Sequence, residues 1–221
     1  MKAFLLLLAA AALSAGSCAS GPAAGARTQS LYGMIYDGEN RPVNNAALYV
    51  DGAYRSSSDI NGHFIITGLK PKTIFRVNVQ KQGFEPIDID AAYTDPSHVL
   101  YIRILSGDQL LAEAEEAVRD KRWGEAEALL DRALDAGAEA APVHYVRAIL
   151  ACAREEYAEA LLILGSIAEN LRDAPYLYLL MADICQYRLE APGQARSHLE
   201  RFLALRYDEA VSQRLQALGE L

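Results

Sequence analysis

Three stretches of the chain, "WGEAEALLDRA", "YAEALLILGSI" and "PGQARSHLERF", align on Ala126, Ala160 and Ala195, 34 and then 35 residues apart. A period of that length restricts the fold severely, because one such unit cannot bury its apolar face alone and must stack on its copies. Leu130, Leu164 and Leu199 recur four residues later, and Ala133, Ile167 and Phe202 three after those. Upstream, Ala114, Ala148 and Ala182 mark a second helix in each unit. Small residues let the two helices of a pair approach closely, while the large apolar ones fill the space between pairs. The spacing therefore predicts three helix pairs over about 107–207, with "DEAVSQRLQALGEL" as a capping helix. Ser106 and Gln109 form a capping box for a helix that begins at Gly107.

Residues 30–105 follow a different rule. Phe75, Val77 and Val79 alternate with Arg76, Asn78 and Gln80, Ile87 and Ile89 with Asp88 and Asp90, and Leu100, Ile102 and Ile104 with Tyr101 and Arg103. A period of two marks half-buried strands. Between them lie "DGEN", "DING" and "KQG", which are turn chemistry, and Asn61 and Gly62 suit positive φ in a hairpin. About seven short strands predict a small antiparallel β-sandwich. The fold class is thus β + α in two domains: a sandwich over 30–105, then a helical repeat array over 106–221. Only Ser106 and Gly107 separate strand pattern from helix pattern, so the domains are expected to hold a restricted orientation.

The N-terminal residues read as address and tether. Met1-Lys2 precedes an apolar run, "AFLLLLAAAAL", and then small residues, the layout of a signal peptide over 1–17. The run falls short of the roughly 20 apolar residues that span a bilayer. Residues 18–29 continue as a small, polar, turn-forming tether. The formal net charge is −8, and removal of 1–17, whose one charged side chain is Lys2, leaves the chain more acidic still. An acidic chain without a basic run is a poor partner for nucleic acid or for anionic lipid headgroups, which favours a lipid anchor over electrostatic attachment to a membrane.

Three resemblances add to this. Ala15-Gly16-Ser17-Cys18 resembles the lipobox of bacterial lipoproteins, with Ala15 where leucine is usual. It implies a Cys18 that carries lipid and begins the exported chain, and Ala19 after it resembles outer-membrane delivery. "GMIYDGENRPVNNAALYV", "SSDINGHFIITGL" and "FRVNVQKQGF" resemble the carboxypeptidase regulatory-like domain, a transthyretin-like sandwich that is a non-catalytic accessory. The helical repeats resemble the tetratricopeptide repeat.

No residues assemble into a recognisable reaction centre. His63, His98, His144 and His198 lack ligand spacing, and Asp59, Asn61 and His63 read as a turn rather than a calcium loop. Phosphate loops, nucleophile elbows and paired-cysteine motifs are missing from the sequence, so neither catalysis nor a cofactor or metal is expected. Cys152 and Cys185 read as small apolar packing, with a single bridge as the alternative. The tetratricopeptide resemblance instead implies a groove on the first helix of each pair. Its positions hold Asp108, Leu111, Glu115, Val118 and Arg119, then Pro142, Tyr145, Ile149, Cys152 and Ala153, then Tyr176, Leu179, Asp183, Gln186 and Tyr187. Tyr145, Tyr176, Asp183, Tyr187 and Glu115 are the expected partner-binding residues, tyrosine offering apolar area with a polar tip. A partner envelope protein or peptide segment, mainly neutral or basic, suits that groove. The other reading is a glycan- or peptidoglycan-binding sandwich using Tyr32, Tyr36, Tyr49 and Tyr54.

Overall fold

Strand alternation converts into two layers with one core. The computed structural model describes residues 29–70, 73–95, 97–171 and 173–219; the signal segment, Cys18 and the tether up to residue 28 lie outside them. Seven strands come first: β1 (Gln29–Tyr36), β2 (Ala47–Val50), β3 (Ala53–Ser57), β4 (His63–Leu69), β5 (Thr73–Gln80), β6 (Ile87–Tyr93) and β7 (Val99–Arg103). They form a three-stranded sheet in the order β4-β1-β7 and a four-stranded sheet in the order β3-β2-β5-β6. Leu31, Ile35, Phe64, Ile66 and Ile102 from the first sheet meet Leu48, Val50, Phe75, Val77, Val79 and Tyr93 from the second in a common core. Arg76, Asp88 and Asp90 point out, as the period of two requires.

Two details differ from expectation. β1 and β7 run parallel, with Tyr32 opposite Val99 and Ile35 opposite Ile102, so the three-stranded sheet is mixed rather than wholly antiparallel. Alternation tells which face a side chain takes but carries no information on strand direction. In the turn before β4, Gly62 alone takes positive φ, at +75°. Asp59 supplies the rest of that turn, its Oδ1 accepting the Asn61 and His63 amides at 2.9 and 2.8 Å.

The loop after β1 is held by a buried carboxylate. Asp37 accepts hydrogen bonds from the Glu39 amide (2.8 Å), the Arg41 amide (2.9 Å) and Arg41 Nε (2.8 Å). Burial alone would raise its pKa, but these donors outweigh burial and hold it below the usual aspartate value.

Among the described residues seven helices follow: α1 (Gly107–Arg119), α2 (Trp123–Asp135), α3 (Ala140–Ala153), α4 (Tyr157–Asn170), α5 (Pro175–Tyr187), α6 (Pro192–Leu205) and α7 (Glu209–Leu218). The capping box is present: Gln109 N–H donates to Ser106 Oγ (3.2 Å) and Ser106 N–H to Gln109 Oε1 (3.1 Å). Pro175 and Pro192 open α5 and α6, where a missing N–H costs nothing. The first helix of each pair ends on a left-handed residue at the same place in each unit, Lys121, Glu155 and Glu190. Every position of the sequence repeat is buried, from Ala114, Ala148 and Ala182 through Ala126, Ala160 and Ala195 to Phe202. The core comes in three layers, centred on Leu130, Leu164 and Leu199.

The two domains meet through backbone as well as side chains. Phe84, in the β5–β6 loop, bridges Ser106. Glu85 N–H donates to the Leu105 carbonyl (2.9 Å), and Gly107 N–H to that of Gly83 (3.1 Å). Glu85 takes a bidentate pair from Arg132 on α2, at 2.6 and 2.7 Å, the stronger geometry for such pairs. Gly38 N–H reaches Gln109 Oε1 (3.3 Å). A side chain at Gly107 would collide with Ala138, whose amide nitrogen would lie 2.7 Å from the added Cβ. The short junction is therefore a packed elbow.

Candidate functional site

The face formed by α1, α3 and α5 carries all the groove positions, and none of them is buried. Leu111, Val118, Cys152 and Leu179 among them pack against the edge of the core, while the tyrosines stand further out. Tyr145, Tyr176 and Tyr187 are 42%, 59% and 63% exposed. Exposed tyrosine of this kind is a common interface anchor, giving apolar area at low entropic cost.

The structure divides the five expected residues. Tyr145 and Tyr176 share a cleft of about 570 Å³ with Pro175, Leu205 and Arg206. The Arg206 guanidinium lies over the Tyr176 ring, 5.2 Å from its centroid, and the edge of Tyr176 meets Phe202 of the core at 6.1 Å. Asp183 and Tyr187 lie in a second cleft of about 380 Å³, with Cys152, Tyr157, Arg188 and Arg214. Glu115 joins neither; it is an exposed residue of α1.

Arg214, on α7, is the residue sequence reasoning missed. It donates to Asp183 Oδ1 (2.6 Å) and Gln186 Oε1 (2.7 Å), and lies 5.0 Å from the Tyr187 centroid. Asp183 therefore enters the groove as half of an ion pair. The pairing joins residues 31 apart in sequence, and only the near-repeat distance between α5 and α7 could have pointed to it.

Cys152 and Cys185 are free thiols. Cys185 is buried and contacts Gln194 Oε1 at 3.7 Å; Cys152 is half-buried at the second cleft. Burial pushes both thiols above the ordinary cysteine value, with Arg188 partly opposing it at Cys152. A third cleft of about 580 Å³, on the α4–α6 face, includes Glu169, Tyr178, His198 and Arg201. His198 stacks on Tyr178 with centroids 6.5 Å apart, and burial lowers its pKa. Among the described residues, no group of His, Cys, Asp and Glu is placed to hold a metal ion, and no helix is long and apolar enough to cross a membrane.

No protein-family model matches the chain, and no curated protein matches it. Among solved structures, the NMR structure of the first TPR domain of the human RPAP3 protein is similar over 52% of this chain and 90% of its own length. The two share 16% identity, with a TM-score of 0.43.

The tyrosines proposed for glycan stacking do not form one platform. Tyr32 and Tyr36 lie on the outside of the three-stranded sheet. Tyr49 and Tyr54 belong to the other sheet, packed edge to face on one another at 5.8 Å.

Proposed function

We propose that the protein is a non-catalytic scaffold of the bacterial envelope, anchored through lipid on Cys18, whose helical array holds a segment of a partner protein. The sandwich would stand between the anchor and the array. The observation that carries this reading is the set of tyrosines at groove positions, open to solvent and bordering two clefts on α3 and α5. With Asp183 paired to Arg214, that half of the groove suits a mainly neutral segment with apolar side chains, and Glu115 leaves room for a basic residue towards α1.

The test is cross-linked affinity purification from membranes, followed by mass spectrometry. A discrete partner is expected with the native chain and a much reduced yield with Tyr145→Ala plus Tyr187→Ala, at unchanged helicity. Equal yield from both would refute the groove. The anchor is tested separately. Cys18→Ser should move the protein to the soluble fraction, and a variant that stays on membranes through high-salt and carbonate washes refutes lipidation.

A further inference from the structure

The outer face of the β4-β1-β7 sheet is apolar where a sandwich of an acidic chain should be polar. Tyr32 stands opposite Ile65 on one side and Val99 on the other, and Met34 stands opposite Tyr101. Tyr32 and Tyr101 are 53% and 63% exposed, and Ile65 and Val99 are exposed as well. Together they border a shallow concavity of about 390 Å³. None of the three strands contains an aspartate or glutamate; the opposite sheet carries Asp88 and Asp90 on its outer face. The polar side chains beside it are His63, 3.7 Å from Asp59, and Arg103, 4.0 Å from Glu113. The tether joins the central strand of this same sheet, three residues before Tyr32, or about 10 Å along the strand.

We propose that this face rests on the surface of the lipid bilayer. Tyr32 and Tyr101 would sit at the level of the headgroups, and Met34, Ile65 and Val99 towards the acyl chains. The placement depends on the Cys18 anchor proposed above. From Cys18 to Gln29 the chain spans at most about 40 Å even when fully extended, so an anchored sandwich never leaves the neighbourhood of the bilayer. Tyrosine suits the interface because its ring is apolar and its hydroxyl keeps water or phosphate as partner. A face without carboxylates avoids repulsion from lipid phosphates.

Size argues against a second copy as the occupant. Three strands of eight, seven and five residues, at about 3.3 Å per residue and about 4.8 Å apart, present roughly 320 Å², whereas a stable protein interface takes about 800 Å² per partner. Contact this small is sustained when a tether supplies a high local concentration.

The experiment provides the tether artificially, so its outcome is independent of lipidation. The chain from residue 19, with an N-terminal hexahistidine, is held on phosphatidylcholine vesicles containing a nickel-chelating lipid and a shallow nitroxide-labelled phosphatidylcholine. Tyr101→Trp and Tyr54→Trp place reporters on the two outer faces, with Trp123 as constant background. The reporter at 101 should lose most of its emission and the reporter at 54 should keep its own. Adding Tyr32→Ser with Met34→Ser should restore emission at 101 while the circular dichroism melt is unchanged. Equal quenching at 101 and 54 overturns the proposal. So does sedimentation as a dimer that the double serine variant abolishes, since the face then belongs to a second copy. Release of Cys18→Ser in cells, by contrast, bears on the anchor alone.

Discussion

The first and third helix pairs share one frame and serve different ends. Both bury the same positions, Ala126 and Leu130 in one, Ala195 and Leu199 in the other, all at 0% exposure. What surrounds that frame differs. The first pair is clamped to the sandwich by Glu85–Arg132, Gly107 and the Phe84–Ser106 bridge, and its groove positions include no aromatic residue. The third pair faces a short capping helix, and it presents Tyr176 and Tyr187 beside clefts. Periodic positions thus build an array of like units, while the positions between them decide which end is joint and which end is contact surface.

The largest expected effects come from the shared frame. Leu130→Ala and Leu199→Ala should each cost about 2–5 kcal/mol, the range for truncating a fully buried leucine, measured by urea unfolding. Because each layer touches only its neighbours, Leu199→Ala should loosen the distal pair and reduce partner capture while the elbow stays protected in hydrogen exchange. Leu130→Ala should do the reverse at the elbow. Identical protection maps would mean that the array unfolds as one block.

Next in size is the elbow itself. Gly107→Val places atoms against Ala138 and should cost about 1–3 kcal/mol by overpacking. It should expose the junction to protease while partner capture, at the far end, persists. Loss of capture in a folded Gly107→Val chain would couple the two ends.

A smaller effect is expected at the cap. Arg214→Met removes a partly exposed pair, worth on the order of 1 kcal/mol, and returns a free carboxylate to the groove at Asp183. Basic partner segments should then bind more tightly, with stronger salt dependence. Unchanged salt dependence would show that Asp183 is not in contact with the partner.

The smallest effect is a pH response. Burial lowers His198 from its ordinary 6.5, so the unfolded chain takes up the proton first. Stability of the distal pair is therefore full above 6.5 and declines as pH falls from there through the lower folded-state value. In thermal melts between pH 8 and 5, His198→Gln should show a flatter decline.

How far the sequence was legible follows from the reach of each signal. Helix pairs, strand faces and the Ser106–Gln109 cap were readable because they arise from spacing within one segment. The parallel β1–β7 pairing was not, since alternation is blind to direction. Glu85–Arg132 and Asp183–Arg214 were not, since each joins elements whose distance only the packed fold determines. Tyr145, Tyr176 and Tyr187 were placed on the face of α1, α3 and α5 by repeat register, but their division between two clefts, one with Arg206 and one with Arg214, was not. The carboxylate-free outer face of β4-β1-β7 was written in three separate strands. It became a surface only when Tyr32, Ile65, Val99 and Tyr101 were brought into register.

The measurement that bears most directly on the central claim is photo-cross-linking in intact envelopes. A benzoylphenylalanine replaces Tyr145, Tyr176 or Tyr187 on the α3–α5 face, Glu115 on α1, or Glu169 on the α4–α6 face. One partner adduct is expected from positions 145, 176 and 187, a weaker one from 115 and none from 169. An adduct from 169 as strong as that from 145, or none from the three tyrosine positions, would contradict that claim.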